Sequence, residues 1–401
     1  MDRTRPLLTY LVLGCAATLS TWAALVLPRH PVTPRESPPY ARPELPTPPP
    51  PPALPPQNRP QVDVVFVLDT TGSMSSLLDG AKKKIWEIAR FIAQGQPAPE
   101  LRIGLIAYRD VGDDYVTKFF DLTDDLDGVY QNLSALTAAG GGDTPEHVAK
   151  GLHEAVYRAT WSPRKNALKL IYLVGDAPPH NDYQDGYNFR AIAMQAKERG
   201  IRINTVRCGR DEDTRLAWAE IAGRTGGEFA SIDQSGGMVD VNTPFDDQLA
   251  QLNRVLTETA LPYGSVERKS ELRAKNAAVL AAPKEAQAAR ASVFGLLGKG
   301  GRAAAVSSGD LLDDVDNKKV AVEGLAPAAL PEPMQGMSAE ERGRYIDTKK
   351  KERQEVLRQI GELNTRRDAF LKSKSPGKAD SFDGKVRESL KKQAAAVDLA
   401  L

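Results

Sequence analysis

The chain has 401 residues, with 53 Lys and Arg against 52 Asp and Glu and a net charge of +1. That balance, with no basic stripe interleaved with aromatics, excludes a nucleic-acid-binding surface. Two cysteines, Cys15 and Cys208, cannot build a disulfide framework, and the length suits two domains or one domain with extensions.

Met1 to Arg5 is followed by an uncharged, largely apolar stretch from Pro6 to Leu27. A helix needs about 20 such residues to span a bilayer. Arg3 and Arg5 on the short side keep the amino terminus in the cytoplasm. Residues 1–27 are therefore predicted to be a signal anchor that crosses the membrane, with the remainder extracytoplasmic, in a periplasm or at a cell surface. A cleaved signal peptide is one alternative. A lipoprotein processed at Val12-Leu13-Gly14-Cys15 is another. Residues 28–60 are Pro-rich, with Pro48 to Pro52 unbroken. Such a segment cannot build a helix interior or a strand ladder. It reads as a polyproline II spacer with a reach on the order of 80–100 Å.

Val62 to Leu68 is dense in β-branched residues, the mark of a strand buried on both faces in a parallel sheet. Asp69-Thr70-Thr71-Gly72-Ser73 follows directly. The next segment, Met74 to Ala93, is predicted helical, with Leu77, Ala81, Ile85, Ile88 and Ile92 on one face. One carboxylate and several hydroxyls thus lie at the carboxyl end of a parallel strand, where open α/β sheets bind ligands. Hard oxygen donors on a short loop suit Mg²⁺.

Further along, 102–108 reads as a strand, 115–122 as an edge strand and 126–136 as a short helix. Gly140-Gly141-Gly142-Asp143-Thr144-Pro145-Glu146 precedes a helix predicted over 146–157. Strand 168–174 ends at Asp176. Helices over 189–199, 214–222 and 244–255 alternate with strands 201–206 and 228–231. This alternation predicts an α/β fold, a doubly wound and mostly parallel sheet with an antiparallel edge. Its crossovers are expected to be right-handed.

The three loops together resemble the metal-ion-dependent adhesion site of the von Willebrand factor A (VWA) domain family over about residues 61 to 259. The family pattern is Asp-x-Ser-x-Ser on the first loop, a Thr on the second and an Asp on the third. Here the first loop is Asp69-x-Thr71-x-Ser73, which keeps a hydroxyl where it departs from the pattern, and the third residue is Asp176. On the second loop Asp143 and Thr144 are both candidates, Thr144 the preferred one. The resemblance implies a Rossmann-like domain holding Mg²⁺, with Mn²⁺ or Ca²⁺ as alternatives. It also implies an open coordination position that accepts a carboxylate from an acidic residue of a partner protein. The expected function is metal-dependent adhesion or assembly at a bacterial cell envelope. A scaffold that uses its helical tail is the second reading. A metal-dependent hydrolase is the third, because Ser73 and His180 are the only hint of catalysis and a metal-binding serine is poorly placed for it.

Residues 262–401 are predicted to be a helical, partly disordered C-terminal region. Ser338-Ala339-Glu340-Glu341 is a capping box opening a charged helix toward Leu371. Its thin stripe of Val356, Ile360, Leu363 and Phe370 fits either a coiled coil or packing on the chain's own domain. Residues 373–401 read as disordered or frayed. The acidic run Asp121, Asp124, Asp125 and Asp127 lacks the spacing of an EF-hand loop and reads as solvated loop or helix-start charge.

Overall fold

The computed structural model describes residues 59–142, 144–237, 242–299, 309–374 and 381–401. The anchor predicted over 1–27 and nearly all of the Pro-rich segment lie outside them. Among the described residues no helix is long and apolar enough to cross a membrane.

The strands are β1 (Gln61–Asp69), β2 (Glu100–Tyr108), β3 (Thr117–Thr123), β4 (Ala167–Gly175), β5 (Ile201–Cys208) and β6 (Phe229–Ile232). They form one sheet in the order β3-β2-β1-β4-β5-β6. Only β3 runs antiparallel, paired with β2 at the edge. The central strand β1 pairs in parallel with β2 on one side and β4 on the other. Every residue of β1 is buried. Val62, Val64, Phe66 and Leu68 face one apolar cluster and Val65 and Val67 the other, which is why the strand is apolar without alternation.

On the second face lie α3 (Val148–His153), α4 (Phe189–Glu198) and α5 (Glu212–Thr225), with Leu152, Ile192 and Trp218 in that cluster. The first face carries α1 (Ser75–Ala93), α2 (Leu126–Ala135) and α6 (Asp246–Glu258). The five apolar positions read on α1 are all buried. The helix expected from residue 146 begins at Val148 instead, so Glu146 and His147 belong to the loop before it.

The C-terminal region consists of α7 (Val266–Ala281), α8 (Lys284–Lys299), α9 (Leu311–Asp316), α10 (Ala339–Lys374) and α11 (Phe382–Ala394). It completes the first face of the sheet rather than standing apart. Phe294 of α8 packs on Trp86 of α1, ring centroids 6.2 Å apart. Val356, Ile360 and Leu363 of α10 are buried in the same core, so the stripe seen in the sequence packs on its own domain and no coiled coil is needed to cover it. Phe370 meets Phe245 edge-on.

Residues 381–401 are folded, contrary to the expectation of disorder. Phe382, Val386, Leu390 and Ala394 are buried at helical spacing. The Tyr172 hydroxyl on β4 meets Ser389 Oγ at 2.7 Å. Asn204 on β5 exchanges hydrogen bonds with Gln393 at 3.0 and 2.7 Å. The composition of this segment is polar because α11 buries only one narrow stripe, which a compositional reading averages away.

Buried ion pairs join the two halves of the chain. Arg290 on α8 meets Asp127 on α2 through two bonds of 2.6 and 2.7 Å, both side chains buried. Asp127 is thus no solvated loop charge. Asp125 does have the helix-start role, capping α2 through Gly128 N–H. Arg367 on α10 bonds Asp246 on α6 at 3.1 Å. Replacing Arg290 with Ala strands Asp127 in the core without its cation. The expected cost is about 3–5 kcal/mol, read as a lower denaturant midpoint at unchanged slope; an unaltered midpoint would show the pair to be dispensable.

Candidate metal centre

The three loops named in the sequence meet at the carboxyl ends of β1 and β4. There the sheet order turns back on itself, the usual ligand position in open α/β sheets. They line a cleft of about 270 Å³ with Thr71, Gly72, Ser73, Gly140, Gly141, Thr144, Glu146, Asp176 and Asp211 on its walls. Asp69, the last residue of β1, is fully buried. The Asp69 Oδ1 accepts the Thr71 N–H at 2.9 Å and the Thr71 hydroxyl at 2.7 Å. That folds the loop into a tight turn and brings Thr71 Oγ1 within 3.3 Å of Ser73 Oγ. The Asp69 Oδ2 is buried with no hydrogen-bond partner, although buried polar atoms nearly always have one.

The second loop is held by backbone contacts. Gly72 N–H donates to the Gly140 carbonyl at 3.2 Å, and Ala139 N–H to the Thr70 carbonyl at 3.1 Å. Gly140 has φ +78°, and a Cβ there would stand 2.1 Å from Asp113 Oδ1; only glycine fits beside that carboxylate. Thr144 is exposed on the cleft wall. Asp143 lies outside the described residues. Gly175, just before Asp176, is equally constrained: a Cβ there would stand 2.3 Å from the Tyr108 hydroxyl and 3.2 Å from Asp69 Oδ2.

Several residues that organise the site carried no signal in the sequence. Arg109 is buried and donates to the Thr70 carbonyl at 3.0 Å and the Thr137 carbonyl at 2.7 Å, stapling the first loop to the second. Gln234, after β6, donates its amide to Asp176 and to the Ser73 carbonyl. Thr214 Oγ1 donates to the Asp176 carbonyl at 3.1 Å. Glu146 is 3% exposed with Oε2 unpartnered. Arg109, Thr214 and Gln234 are brought in by the fold from other segments, and Glu146 closes the second loop itself. His180 instead stabilises its loop. It bonds Asp182 at 2.7 Å, approaches Asp110 at 3.3 Å and stacks on Tyr183.

Electrostatics follow from this crowding. Burial, with the nearby charge of Asp176, pushes the Asp69 carboxyl up to about 7 despite the opposing Thr71 bonds. Burial and the charges of Asp69, Asp110, Asp113 and Asp176 push Glu146 up to about 9. A cation in the cleft would relieve both. Among the described residues no three His, Cys, Asp or Glu side chains cluster tightly enough to hold a metal by themselves. Such a count omits hydroxyl donors, and the donor set here is hydroxyls with few carboxylates. The orphaned Asp69 Oδ2 therefore fits a divalent cation bound through hard oxygens.

A mostly parallel sheet with this three-loop cleft defines a Rossmann-like domain with a hydroxyl-rich cleft at the carboxyl ends of its strands. Residues 63–239 match the von Willebrand factor A domain family, and the chain carries a domain of that family. A putative ariadne-like RING finger protein of Acanthamoeba polyphaga mimivirus is 30% identical over 135 residues, 33% of this chain and 12% of that protein. The von Willebrand factor A domain-containing protein 7 of Rattus norvegicus is 30% identical over 144 residues, 36% of this chain and 14% of that one. The chain thus spans about an eighth of the length of these curated relatives. Among solved structures, proximal thread matrix protein 1 from the mussel byssus, with a zinc-occupied MIDAS motif, is 15% identical. That match covers 43% of this chain and 42% of that one, with a TM-score of 0.34.

Proposed function

We propose that the chain is a divalent-cation-dependent protein-binding module of the adhesion or assembly kind. Membership of the von Willebrand factor A family supports an interaction role in general. The observation that carries metal dependence is the buried, unpartnered Asp69 Oδ2, on the carboxyl group whose other oxygen holds Thr71 in the wall of a hydroxyl-lined cleft. Asp69, Thr71, Ser73 and Asp176 would hold the ion, with Thr144 or Asp143 from the second loop. Mg²⁺ is the ion of choice, since Mg²⁺ is bound through few carboxylates and keeps exchangeable oxygen ligands. The ion would supply an electrophilic position for a carboxylate from an acidic partner residue. The protein's own part is to hold the donors rigidly and leave that position facing solvent.

The anchor read from residues 6–27 would tether the module at a cell envelope on its Pro-rich spacer. We read the protein as non-enzymatic. Among the described residues no hydrogen bond joins Ser73 to His180; Ser73 Oγ lies 3.3 Å from Thr71 Oγ1, and His180 pairs with Asp182. The rival scaffold reading needs a free helical tail, and the apolar stripe of α10 is buried within this chain.

The test is retention of a partner on the immobilised full chain in Mg²⁺ and in excess chelator, beside Asp176→Asn. Release by chelator and loss of retention in the variant are expected. A partner that stays through chelation would sink the metal-dependent reading.

A further inference from the structure

Gln234 lies outside the three loops, yet its side-chain amide touches two of them. Its Nε2 donates to Asp176 Oδ2 and, at 3.3 Å, to the Ser73 carbonyl. Asp176 and Ser73 both line the cleft. The turn after β6 sets the position of Gln234. The Gly236 N–H closes that turn on the Asp233 carbonyl at 2.8 Å, and the Gly236 carbonyl accepts the Phe382 N–H of α11 at 3.0 Å. Gly209, directly after β5, has φ +77°, and a Cβ there would stand 2.3 Å from Gln234 Oε1. The side chain thus passes over a glycine that leaves it room. Gln234 is itself exposed, so its amide can exchange these partners for water with little change in burial.

The amide nitrogen of a glutamine carries two hydrogens and accepts nothing. Those hydrogens are the positive end of the amide dipole. Placed between a carboxylate oxygen of the third loop and a carbonyl oxygen of the first, they supply the positive charge that a cation would bring. A hydrogen bond to an ionised carboxylate is about twice as strong as one between neutral groups, so it is not given up freely. A cation drawn to Asp176 meets the same hydrogens on the same oxygen. We propose that Gln234 is an internal competitor of the ion: its amide caps Asp176 in the ion-free chain and is withdrawn when the ion takes that oxygen. The residue then holds the site's affinity below what its oxygens alone would give. This rests on the reading of the cleft as a divalent-ion site. A hydrogen bond that only oriented Asp176 would act in the opposite sense, because partners that orient ligands raise affinity. The sign of the change therefore decides.

Calorimetric titration of the full chain in detergent with Mg²⁺ tests it, beside thermal melts of the ion-free protein. A cap in place about nine-tenths of the time lowers the apparent affinity about tenfold. Gln234→Ala is therefore expected to bind Mg²⁺ about tenfold more tightly than the unaltered chain, with an ion-free Tm equal to or slightly below it. Gln234→Lys sets a full charge against Asp176 and is expected to bind Mg²⁺ more weakly than the unaltered chain. If the alanine variant does not fold, Gln234→Glu decides: it has the same length and, ionised, no hydrogen to donate, and it is expected to bind more tightly as well. Unaltered or weaker binding in Gln234→Ala, or a lysine variant that binds as tightly as the unaltered chain, would overturn the proposal while the ion site stands. An unaltered chain and an alanine variant that both fail to bind Mg²⁺ would overturn the ion site as well.

Discussion

Asp69→Asn is expected to abolish Mg²⁺ binding while leaving the ion-free protein folded. The amide oxygen can still accept the two bonds from Thr71, so the turn survives, but the charge that faces the ion is gone. The pH dependence sharpens the test. The folded carboxyl of Asp69 titrates near 7 against an ordinary 3.8, and that of Glu146 near 9 against 4.5. A raised carboxyl pKa means that the folded chain binds protons more tightly than the unfolded chain does. The contribution of these two groups to the stability of the ion-free protein is therefore greatest at low pH. It declines from the ordinary carboxyl range upward and is lost once the pH has passed about 7 for Asp69 and about 9 for Glu146. Bound Mg²⁺ would replace those protons as the compensating charge. At a hundredfold excess over its Kd the ion would add about 2.7 kcal/mol, roughly 3–4 °C in Tm for a protein of this size. The rise is expected at pH 8, to shrink at pH 5, and to vanish in Asp69→Asn at either pH. A Tm that responds to Mg²⁺ equally in the variant would place the ion elsewhere.

Ending the chain at Thr259 is expected to abolish the fold, although every proposed ligand lies before that residue. The truncation removes α8, α10 and α11, whose Phe294, Ile360, Phe382, Val386 and Leu390 share one core with Phe66, Trp86 and Tyr172. It also strands Asp127 by removing Arg290. Each large apolar side chain returned to water forfeits about 1.5–3 kcal/mol. A handful of them exceeds the 5–15 kcal/mol that typically holds a domain together. Loss of near-ultraviolet circular dichroism and of a cooperative melt are the readouts. A truncated chain that melts cooperatively at the temperature of the full chain would show that the C-terminal helices are dispensable.

What the sequence determined by itself was whatever is coded locally. The period of the apolar residues set β1 as a two-sided strand and α1 as a one-sided helix. Turn chemistry placed Asp69, Thr71, Ser73 and Asp176 at strand ends, and strand–helix alternation set the sheet type. These features survive in isolation because each depends on neighbours within a few residues. The tertiary structure alone decided the rest. Whether the stripe of α10 met another chain or its own domain depended on a face of the sheet left open by α1, α2 and α6, which no periodicity records. The tail from 381 to 401 gained order from β4 and β5, more than 180 positions earlier in the chain at Tyr172 and Asn204. Arg109, Gln234 and Glu146 joined the site because the crossovers bring the ends of β2, β6 and the second loop to one edge. Burial then changed their chemistry. A carboxylate reads the same in any sequence, and only burial beside acidic neighbours raises Asp69 and Glu146 above the ordinary carboxylate range.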